Sequence, residues 1–214
     1  DVLAGASAVG FDLLPTLSQL GYSDEAAAAA AEVDPRGVLP FRGGETAALA
    51  RLKYYVWDAD LLKSYHYTRN RMLGADYSSK FAPWLACGCL SAREARKQCE
   101  AYERVRVKNK STYWLVFELL WRDFFRFSAA KQGNRIFLVN GPARVRQDWR
   151  DDPAMLQRWR EGRTGMPLVD ANMRELVATG FMSNRGRQNV ASFLALDLGI
   201  DWRLGAAFFE EYLV

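Results

Sequence analysis

The sequence contains little histidine and little cysteine, and this scarcity excludes whole classes of site. His66 is the only histidine among the 214 residues, so a histidine-rich metal site is excluded. Cys87, Cys89 and Cys99 are an odd number without the spacing of zinc ligands, which argues against a metal centre and against a disulfide scaffold. We therefore expect no bound metal, and we expect reduced thiols in an intracellular protein.

Long apolar runs are missing as well. No stretch reaches the roughly 20 apolar residues that cross a bilayer, so we expect no membrane span. Half of the residues are hydrophobic and 25% are charged, a composition that excludes a wholly disordered chain. Lysine is scarce, because 22 of the 29 cationic residues are arginine. Together with the net charge of +4, this excess of arginine permits a polyanionic partner but does not require one.

Alternating patterns typical of β-strands are absent too, and the sequence from residue 45 onward is helical almost throughout. The pattern predicts helices over Thr46–Lys63, Ser91–Val107, Ser111–Ala130, Pro153–Glu161, Asp170–Thr179, Ser183–Leu198 and Trp202–Leu213. Ser91, Ser183 and Asp201 have the side chains of N-caps. Gly180 suits the C-cap of the fifth predicted helix. The sequence therefore predicts an all-α fold.

The first 44 residues have a different character. An alanine run, Ala26–Ala31, predicts one short surface helix, and turn-forming residues follow it as far as Gly43 and Gly44. We therefore expect a connector over residues 1–44 and a helical domain over residues 45–214. The first residue is Asp1 rather than methionine, so we expect a processed chain or a piece of a longer one.

The predicted helix Ser111–Ala130 carries aromatic and aliphatic residues on every side, which is typical of a central, buried helix. Glu118 and Arg122 lie within it, four residues apart and therefore on one face. A charge in such a place is costly unless it is paired. Two interpretations stay open: a structural ion pair, or a buried carboxylate beside the indole of Trp121 in a pocket for a flat polar ligand.

Two polar clusters also admit two interpretations each. One cluster begins a predicted helix, where free N–H groups and arginines favour an anion, and it consists of Asn184, Arg185, Arg187 and Gln188. A capped and solvated helix end has the same composition. The Ser-Ser-Lys sequence at residues 78–80 supplies hydroxyls and a cation that suit a phosphate, although polar turns of this kind are common. Neither cluster alone identifies a ligand.

Five longer motifs together carry a family resemblance. They are Arg42-Gly43-Gly44-Glu45-Thr46-Ala47, Asp76 to Phe81 extending to Ala92, Ser111-Thr112-Tyr113-Trp114 extending to Arg126, Glu161 to Arg174, and Thr179 to Gln188. In this order and spacing, from roughly Leu39 to Val214, the sequence resembles the photolyase and cryptochrome family, and its DASH-type subgroup in particular. The resemblance implies a helical bundle of the FAD-binding type. We expect it to be incomplete, because the family's antenna domain and the end of its FAD site lie outside these residues.

The resemblance also assigns residues to the cofactor. It implies that FAD is held in a folded shape by positions that match the family's motifs: Tyr65, Ser78, Ser79, Lys80, Phe81, Arg122, Asn184 and Arg187. Asn184 would face the flavin nitrogen that takes up a proton, and Arg187 would pair with an acidic residue near it. Ala82 stands where relatives usually carry a serine that helps to hold phosphate.

The same matching implies substrate and catalytic residues. Glu118, Trp121 and Gln188 would line a cavity for a cyclobutane pyrimidine dimer flipped out of damaged or single-stranded DNA. Trp149 and Trp202 would be the outer and middle members of a tryptophan relay that reduces the light-excited flavin. The predicted catalytic residues are therefore Asn184, Trp149, Trp202 and Glu118.

Two functional hypotheses follow. The first is a photolyase-like lyase or blue-light receptor, a flavoprotein that repairs DNA by light-driven electron transfer or signals in blue light. The second is a chain without FAD that persists as a structural component of a larger protein assembly. Bound FAD would favour the first, and tight association with another protein without FAD would favour the second. The compartment stays open, and an organelle such as the chloroplast is compatible with either.

Overall fold

The chain divides into two units, residues 1–35 and 36–214, and the computed structural model describes residues 18–23 and 34–213. The described residues of the first unit include a turn in which the Gly21 N–H donates to the Ser18 carbonyl at 3.0 Å. The predicted helix of the alanine run lies outside the described residues. The predicted division of the chain at residue 44 stays a prediction.

Five α-helices occupy the first half of the described second unit. They are α1 (Glu45–Lys53), α2 (Tyr65–Thr68), α3 (Ala82–Ala86), α4 (Ala92–Val105) and α5 (Lys110–Gln132). Side chains satisfy free N–H groups where the two longest begin. Ser91 accepts from the Arg93 N–H, and Asn109 accepts from the N–H groups of Ser111 and Thr112. The local sequence therefore fixes the starts of α4 and α5.

Four further α-helices follow within the described residues. They are α6 (Pro153–Arg160), α7 (Pro167–Thr179), α8 (Asn184–Ser192) and α9 (Trp202–Tyr212). The predicted N-caps are confirmed: Ser183 accepts from the Gly186 N–H. Asp201 likewise accepts from the Arg203 N–H. Gly180 ends α7 in the left-handed conformation, with a φ of 69°, as predicted.

The all-α prediction is confirmed. The described residues contain no β-strand, and their β-type pairing is limited to an isolated bridge between Arg150 and Ile200. Across the same part of the chain, no helix is both long enough and apolar enough to cross a membrane.

The predicted helix Thr46–Lys63 is wrong in length. Helix α1 continues only as a π-helical turn over Tyr54–Asp58, and the chain then turns at Asp60, whose φ of 55° is left-handed. The Tyr102 hydroxyl and the Arg106 guanidinium donate to the Asp60 carboxylate at 2.6 and 2.9 Å. These contacts hold Asp60 in a conformation that a helix cannot continue.

Two hydrophobic cores stabilise the second unit. The first joins α1, α4 and α5 through fully buried side chains such as Tyr55 and Tyr102. The second joins α6, α7, α8 and α9 around Trp159, whose indole N–H donates to the Val190 carbonyl at 3.0 Å. Stacking of Phe41 on Phe181, with ring centroids 6.1 Å apart, bridges the segments that carry the two cores.

The prediction that the helix over 111–130 is buried on all sides is wrong for its second half. Leu115, near the start of α5, is buried because α2 and α4 pack against this part. Further along, Phe124, Phe125 and Phe127 are exposed by 55%, 63% and 70%. No described element covers these rings, so the second half of α5 presents an exposed aromatic surface.

Candidate functional site

A cavity of about 390 Å³ lies between the two cores. Its walls come from α2, residues 77–83, α5 and the first turn of α8. Eight of the residues predicted for the cofactor and the substrate line it: Tyr65, Ser78, Ser79, Lys80, Phe81, Glu118, Asn184 and Arg187. The fold therefore brings together side chains from four separate segments of the sequence.

A second cavity, also of about 390 Å³, adjoins the first, because Tyr65, Ser79 and Phe81 line both. We refer to the two cavities together as the cleft. Arg122 lines the second cavity, with Leu115 and other apolar side chains of α3 and α5 around it. The cleft thus has one polar end and one apolar end, and all the residues predicted to hold FAD lie along it.

Residues 75–80 are here called the serine loop, and residues 77–80 of this loop form the polar wall of the cleft. The Lys80 ammonium donates to Ser78 Oγ at 2.9 Å and lies 3.1 Å from the centroid of the Tyr77 ring. Lys80 also has a φ of 60°, a left-handed conformation that is uncommon for a residue with a side chain. The loop therefore holds hydroxyl groups and a cation in one defined arrangement.

The pKa of Lys80 is low for a lysine. Burial, aided by the nearby charge of Arg51, lowers the pKa of Lys80 to about 7, while Asp76 and Glu175 act in the opposite direction. Burial in turn raises the pKa of Glu175, which the charge of Lys80 partly offsets. Near neutral pH, Lys80 exists in both charged and neutral forms, and an anion in the cavity would favour the charged form.

Glu118 lies in the cavity as the acceptor of two hydrogen bonds. Arg69 Nη1 donates to Glu118 Oε1 at 2.6 Å, and Trp114 Nε1 donates to the same oxygen at 3.0 Å. Glu118 does form an ion pair, but its partner is Arg69 and not Arg122. Arg122 Nη1 instead lies 3.6 Å from Asp123 Oδ1. Sequence reasoning missed Arg69, which also lines the cavity. The sequence signal for Arg69 was its position one helical turn after Tyr65, which was predicted to contact FAD.

Asn184 and Arg187 project from the first turn of α8. Arg187 Nε donates to the Met182 carbonyl at 2.9 Å, and burial lowers the pKa of this arginine. Asn184 stays exposed at the mouth of the cavity. Gly186 allows α8 to approach α7 closely, because a Cβ at this position would overlap Asn172 Oδ1. The packing of two helices therefore positions both side chains.

Four predicted residues lie outside the lining of the cleft. Trp121 belongs to the exposed aromatic surface of α5, with 42% of its surface exposed. Gln188 is exposed and accepts from Arg185 Nη1 at 2.7 Å. The isolated bridge between residues 150 and 200 brings the segments of Trp149 and Trp202 side by side. The roles of these four residues stay predictions.

The chemistry of the cleft suits an anion better than a metal. In the ranges 18–23 and 34–213, no group of three histidine, cysteine, aspartate or glutamate residues is placed to hold a metal ion. The polar end instead combines serine hydroxyls with Lys80 and Arg187, which are donors for phosphate oxygens, while Arg69 in the same lining is paired with Glu118. Aromatic and aliphatic side chains line the other end. The cleft can therefore bind a ligand that is anionic at one end and planar and apolar at the other.

Comparison with known proteins defines the class to which this fold and cleft belong. The family described as the FAD binding domain of DNA photolyase matches residues 114–214, which include α6 to α9 and most of α5. Relatives with more than half of the aligned residues identical match nearly the whole chain, and a solved cryptochrome shares the fold over most of it. The chain belongs to the photolyase and cryptochrome family.

Within this family, the chain is similar to DASH cryptochromes. It is 55% identical over 215 residues to Cryptochrome DASH, chloroplastic/mitochondrial, of Ostreococcus tauri, a match that covers 98% of this chain and 39% of the relative. The crystal structure of a Synechocystis cryptochrome has a TM-score of 0.83 at 61% identity and covers 85% of this chain and 38% of its own. A class III photolyase from Agrobacterium tumefaciens has a TM-score of 0.65 at 31% identity, over 79% of this chain and 34% of its own. The chain spans about two fifths of the length of the relatives it matches.

Proposed function

We propose that the cleft binds FAD. The observation that carries this proposal is the convergence of Tyr65, the serine loop, Asn184 and Arg187 on one cavity, although they come from three separate segments. FAD joins an anionic pyrophosphate to a planar aromatic ring, and the cleft joins a cationic, hydroxyl-rich end to an apolar one. The donor set of the chain therefore fits this cofactor.

The polar end would hold the phosphates. Ser78 and Ser79 supply hydroxyl donors, and Lys80 supplies a charge that an anion would favour. Arg187 adds a second cation at the start of α8, where the helix dipole also favours negative charge. Ala82 lines both cavities but has no hydroxyl to donate, so the phosphates depend on the other four residues.

The remaining residues would position and shield the ring. Tyr65 and Phe81 supply an apolar wall, and Arg122 offers a cation at the border of the second cavity. The Asn184 amide can donate or accept a hydrogen bond near a ring nitrogen without adding charge. FAD, when bound, supplies light absorption and electron transfer, and the protein supplies orientation and exclusion of water.

Titration of the purified chain with FAD, followed by quenching of flavin fluorescence, tests the proposal. We expect saturable binding, and we expect Arg187→Ala to weaken it about tenfold, because a charged hydrogen bond to phosphate is lost. Arg158→Ala is the matched control, since Arg158 is exposed and lies outside the cleft. Absence of saturable binding, or equal affinity in both variants, would refute the site.

We also propose that the protein acts on DNA containing cyclobutane pyrimidine dimers. The match to a DNA photolyase family supports DNA as the partner. Glu118 offers a carboxylate in the cavity that can accept from a base edge, and Trp121 offers an exposed indole one turn away for stacking. Trp149 and Trp202 are proposed as relay members, supported by the bridge that brings their segments together.

Binding of short single strands with and without a dimer tests the substrate. We expect Trp121→Ala to weaken binding to dimer-containing strands about tenfold or more, because one stacked base is worth roughly 1–3 kcal/mol. The loss of affinity for undamaged strands should be smaller. Phe127→Ala is the control, since it removes another exposed ring of α5. Equal losses on both kinds of strand would show that the indole does not recognise the lesion.

A second candidate function is a structural component without FAD. The exposed aromatic surface of α5 favours it, because such surfaces commonly pack against another protein. A folded, colourless chain that fails the FAD titration would support this function instead. For either function we propose an intracellular location. Cell fractionation tests the compartment, by detection of the protein in isolated chloroplasts or in the remaining cell fractions.

A further inference from the structure

Arg51, on α1, is buried against the serine loop, with only 8% of its surface exposed. Its Nε donates to the Ser79 carbonyl at 3.0 Å, and its Nη2 donates to the Ala75 carbonyl at 2.9 Å. Nη2 also lies 3.4 Å from the Ser78 carbonyl, and Nη1 donates to Asp76 Oδ1 at 3.2 Å. One side chain therefore binds four residues of this short loop.

The serine loop has no other comparable support. Within the described residues, none of the backbone–backbone hydrogen bonds involves residues 75–80, and the loop belongs to no helix. Buried carbonyl groups need donors, and here Arg51 provides them. The loop also contains Lys80 in a left-handed conformation, which surrounding contacts must maintain. The guanidinium is therefore the donor to the backbone carbonyl groups of Ala75, Ser78 and Ser79 in this loop.

A guanidinium suits this task better than any other side chain. It presents five N–H donors in a rigid plane, so three nitrogens can serve different acceptors at once, which a lysine ammonium on its flexible stem cannot reproduce. Asp76 balances the buried charge, and the Tyr54 hydroxyl donates to the same carboxylate at 2.9 Å. Arg51 itself lies outside the lining of the cleft.

We propose that Arg51 is a positioning residue for the phosphate end of the cleft. By binding the carbonyl groups of the serine loop, it turns the side chains of Ser78, Ser79 and Lys80 towards the cavity, where they line the wall. That the ligand is FAD rests on the proposed function. That Arg51 holds the loop in shape does not depend on the identity of the ligand, so loop shape and FAD binding are tested in separate experiments.

The first experiment measures the loop without any ligand. Trypsin cleaves after lysine, and we expect Lys80 to be protected in the native chain because only 6% of its surface is exposed. In Arg51→Lys, which keeps a cation but loses the planar donors, we expect cleavage after Lys80 to become about tenfold faster. Cleavage within α5 should stay at the native rate. Arg96→Lys is the matched control, since Arg96 is exposed and pairs with Glu100 on the same helix.

The second experiment measures the ligand. Fluorescence titration with FAD should give about tenfold weaker affinity for Arg51→Lys, because the phosphate donors are no longer fixed in place. Because Lys80 has a pKa of about 7, FAD affinity should depend on pH, and this dependence should flatten in Arg51→Lys. A residue that served only general stability would not change the pH profile.

The outcomes separate the claims. Native protection of Lys80 together with native FAD affinity in Arg51→Lys would overturn the proposal, and so would faster cleavage throughout the chain. If the parent chain binds no FAD, the proposed cofactor fails, while the trypsin result still decides whether Arg51 holds the loop. If Arg51→Lys does not fold, Asp76→Asn provides the same test, because it loosens the guanidinium but leaves it present. Native protection in that variant would also contradict the proposal.

Discussion

At the scale of single residues, burial and hydrogen bonding set the charges on which the cleft depends. Lys80 is the clearest case, because burial leaves its ammonium with a pKa of about 7. Glu118 is held by Arg69 and Trp114, and its carboxylate is oriented by both donors. These groups are prepared before any ligand arrives, which reduces the cost of ordering them on binding.

The acidity of Lys80 predicts that FAD binding depends on pH. Above its pKa of about 7, Lys80 is mostly neutral in the free protein, and a phosphate favours the charged form. Binding at higher pH must therefore take up a proton, so FAD affinity should fall as the pH rises above 7. Titrations at several pH values should show this fall in the native chain and in Lys53→Met, an exposed control. An equally steep fall of FAD affinity with pH in Lys80→Met would contradict the prediction.

Asp170 predicts a second pH effect, this time on stability. Its Oδ1 accepts from the Thr164 N–H and hydroxyl at 2.7 and 2.6 Å, and its Oδ2 accepts from the Gly165 N–H at 3.0 Å. Burial acts to raise the pKa of Asp170, but the hydrogen bonds from Thr164 and Gly165 outweigh it and hold the pKa below its usual value. The contribution to stability is therefore present above about pH 4, the unfolded pKa, and is lost as the pH falls.

Urea denaturation checks this prediction. Asp170→Asn should lower the free energy of unfolding at pH 7 by about 2 kcal/mol, because hydrogen bonds to a buried, charged side chain are lost. The difference from the native chain should shrink at acidic pH, where the native carboxyl is also protonated. A difference that is independent of pH would rule out the carboxylate as its source.

At the scale of the helices, close packing of α7 against α8 positions the residues of the cavity. Gly186 lies against Asn172, which donates from Nδ2 to the Leu168 carbonyl at 2.7 Å and is therefore fixed in place. A methyl group at residue 186 has no room. The position of Asn184 and Arg187 at the cavity consequently depends on a glycine that contacts no ligand.

Gly186→Ala should therefore destabilise the fold. We expect a loss of about 2 kcal/mol in the free energy of unfolding, since overpacking at a close helix contact typically costs roughly 1–3 kcal/mol. Gly43→Ala is the matched control, because a Cβ at residue 43 meets no atom within 4 Å. Thermal unfolding of both variants measures the difference. Similar melting temperatures would mean that α7 and α8 adjust without cost.

The helices themselves could largely be predicted from the sequence, because their caps are local signals. Ser91 and Ser183 begin α4 and α8 as expected. The end of α1 could not be predicted, because Asp60 is held by Arg106, 46 residues away. The partner of Glu118 was missed for the same reason, since Arg69 lies 49 residues earlier. Long-range pairs of this kind become visible only in the folded chain.

At the scale of the whole molecule, the candidate site was predicted from the order and spacing of its motifs. Ser78 and Ser79, or Asn184 and Arg187, are each ambiguous as local patterns, because polar turns and capped helices are common. Their convergence on one cavity is the new information that the fold supplies. The exposed half of α5 could not be predicted, because an all-round apolar pattern indicates burial and carries no information about which neighbours are present.

The central claim is that the cleft is the FAD site, and a crystal structure of the chain grown with FAD tests it most directly. The account predicts flavin density along the cleft, with phosphate oxygens within hydrogen-bond distance of the Ser78 and Ser79 hydroxyls and the ring beside Asn184. Density for FAD stacked on the exposed rings of Trp121 and Phe125, with the cleft empty at saturating FAD, would contradict it.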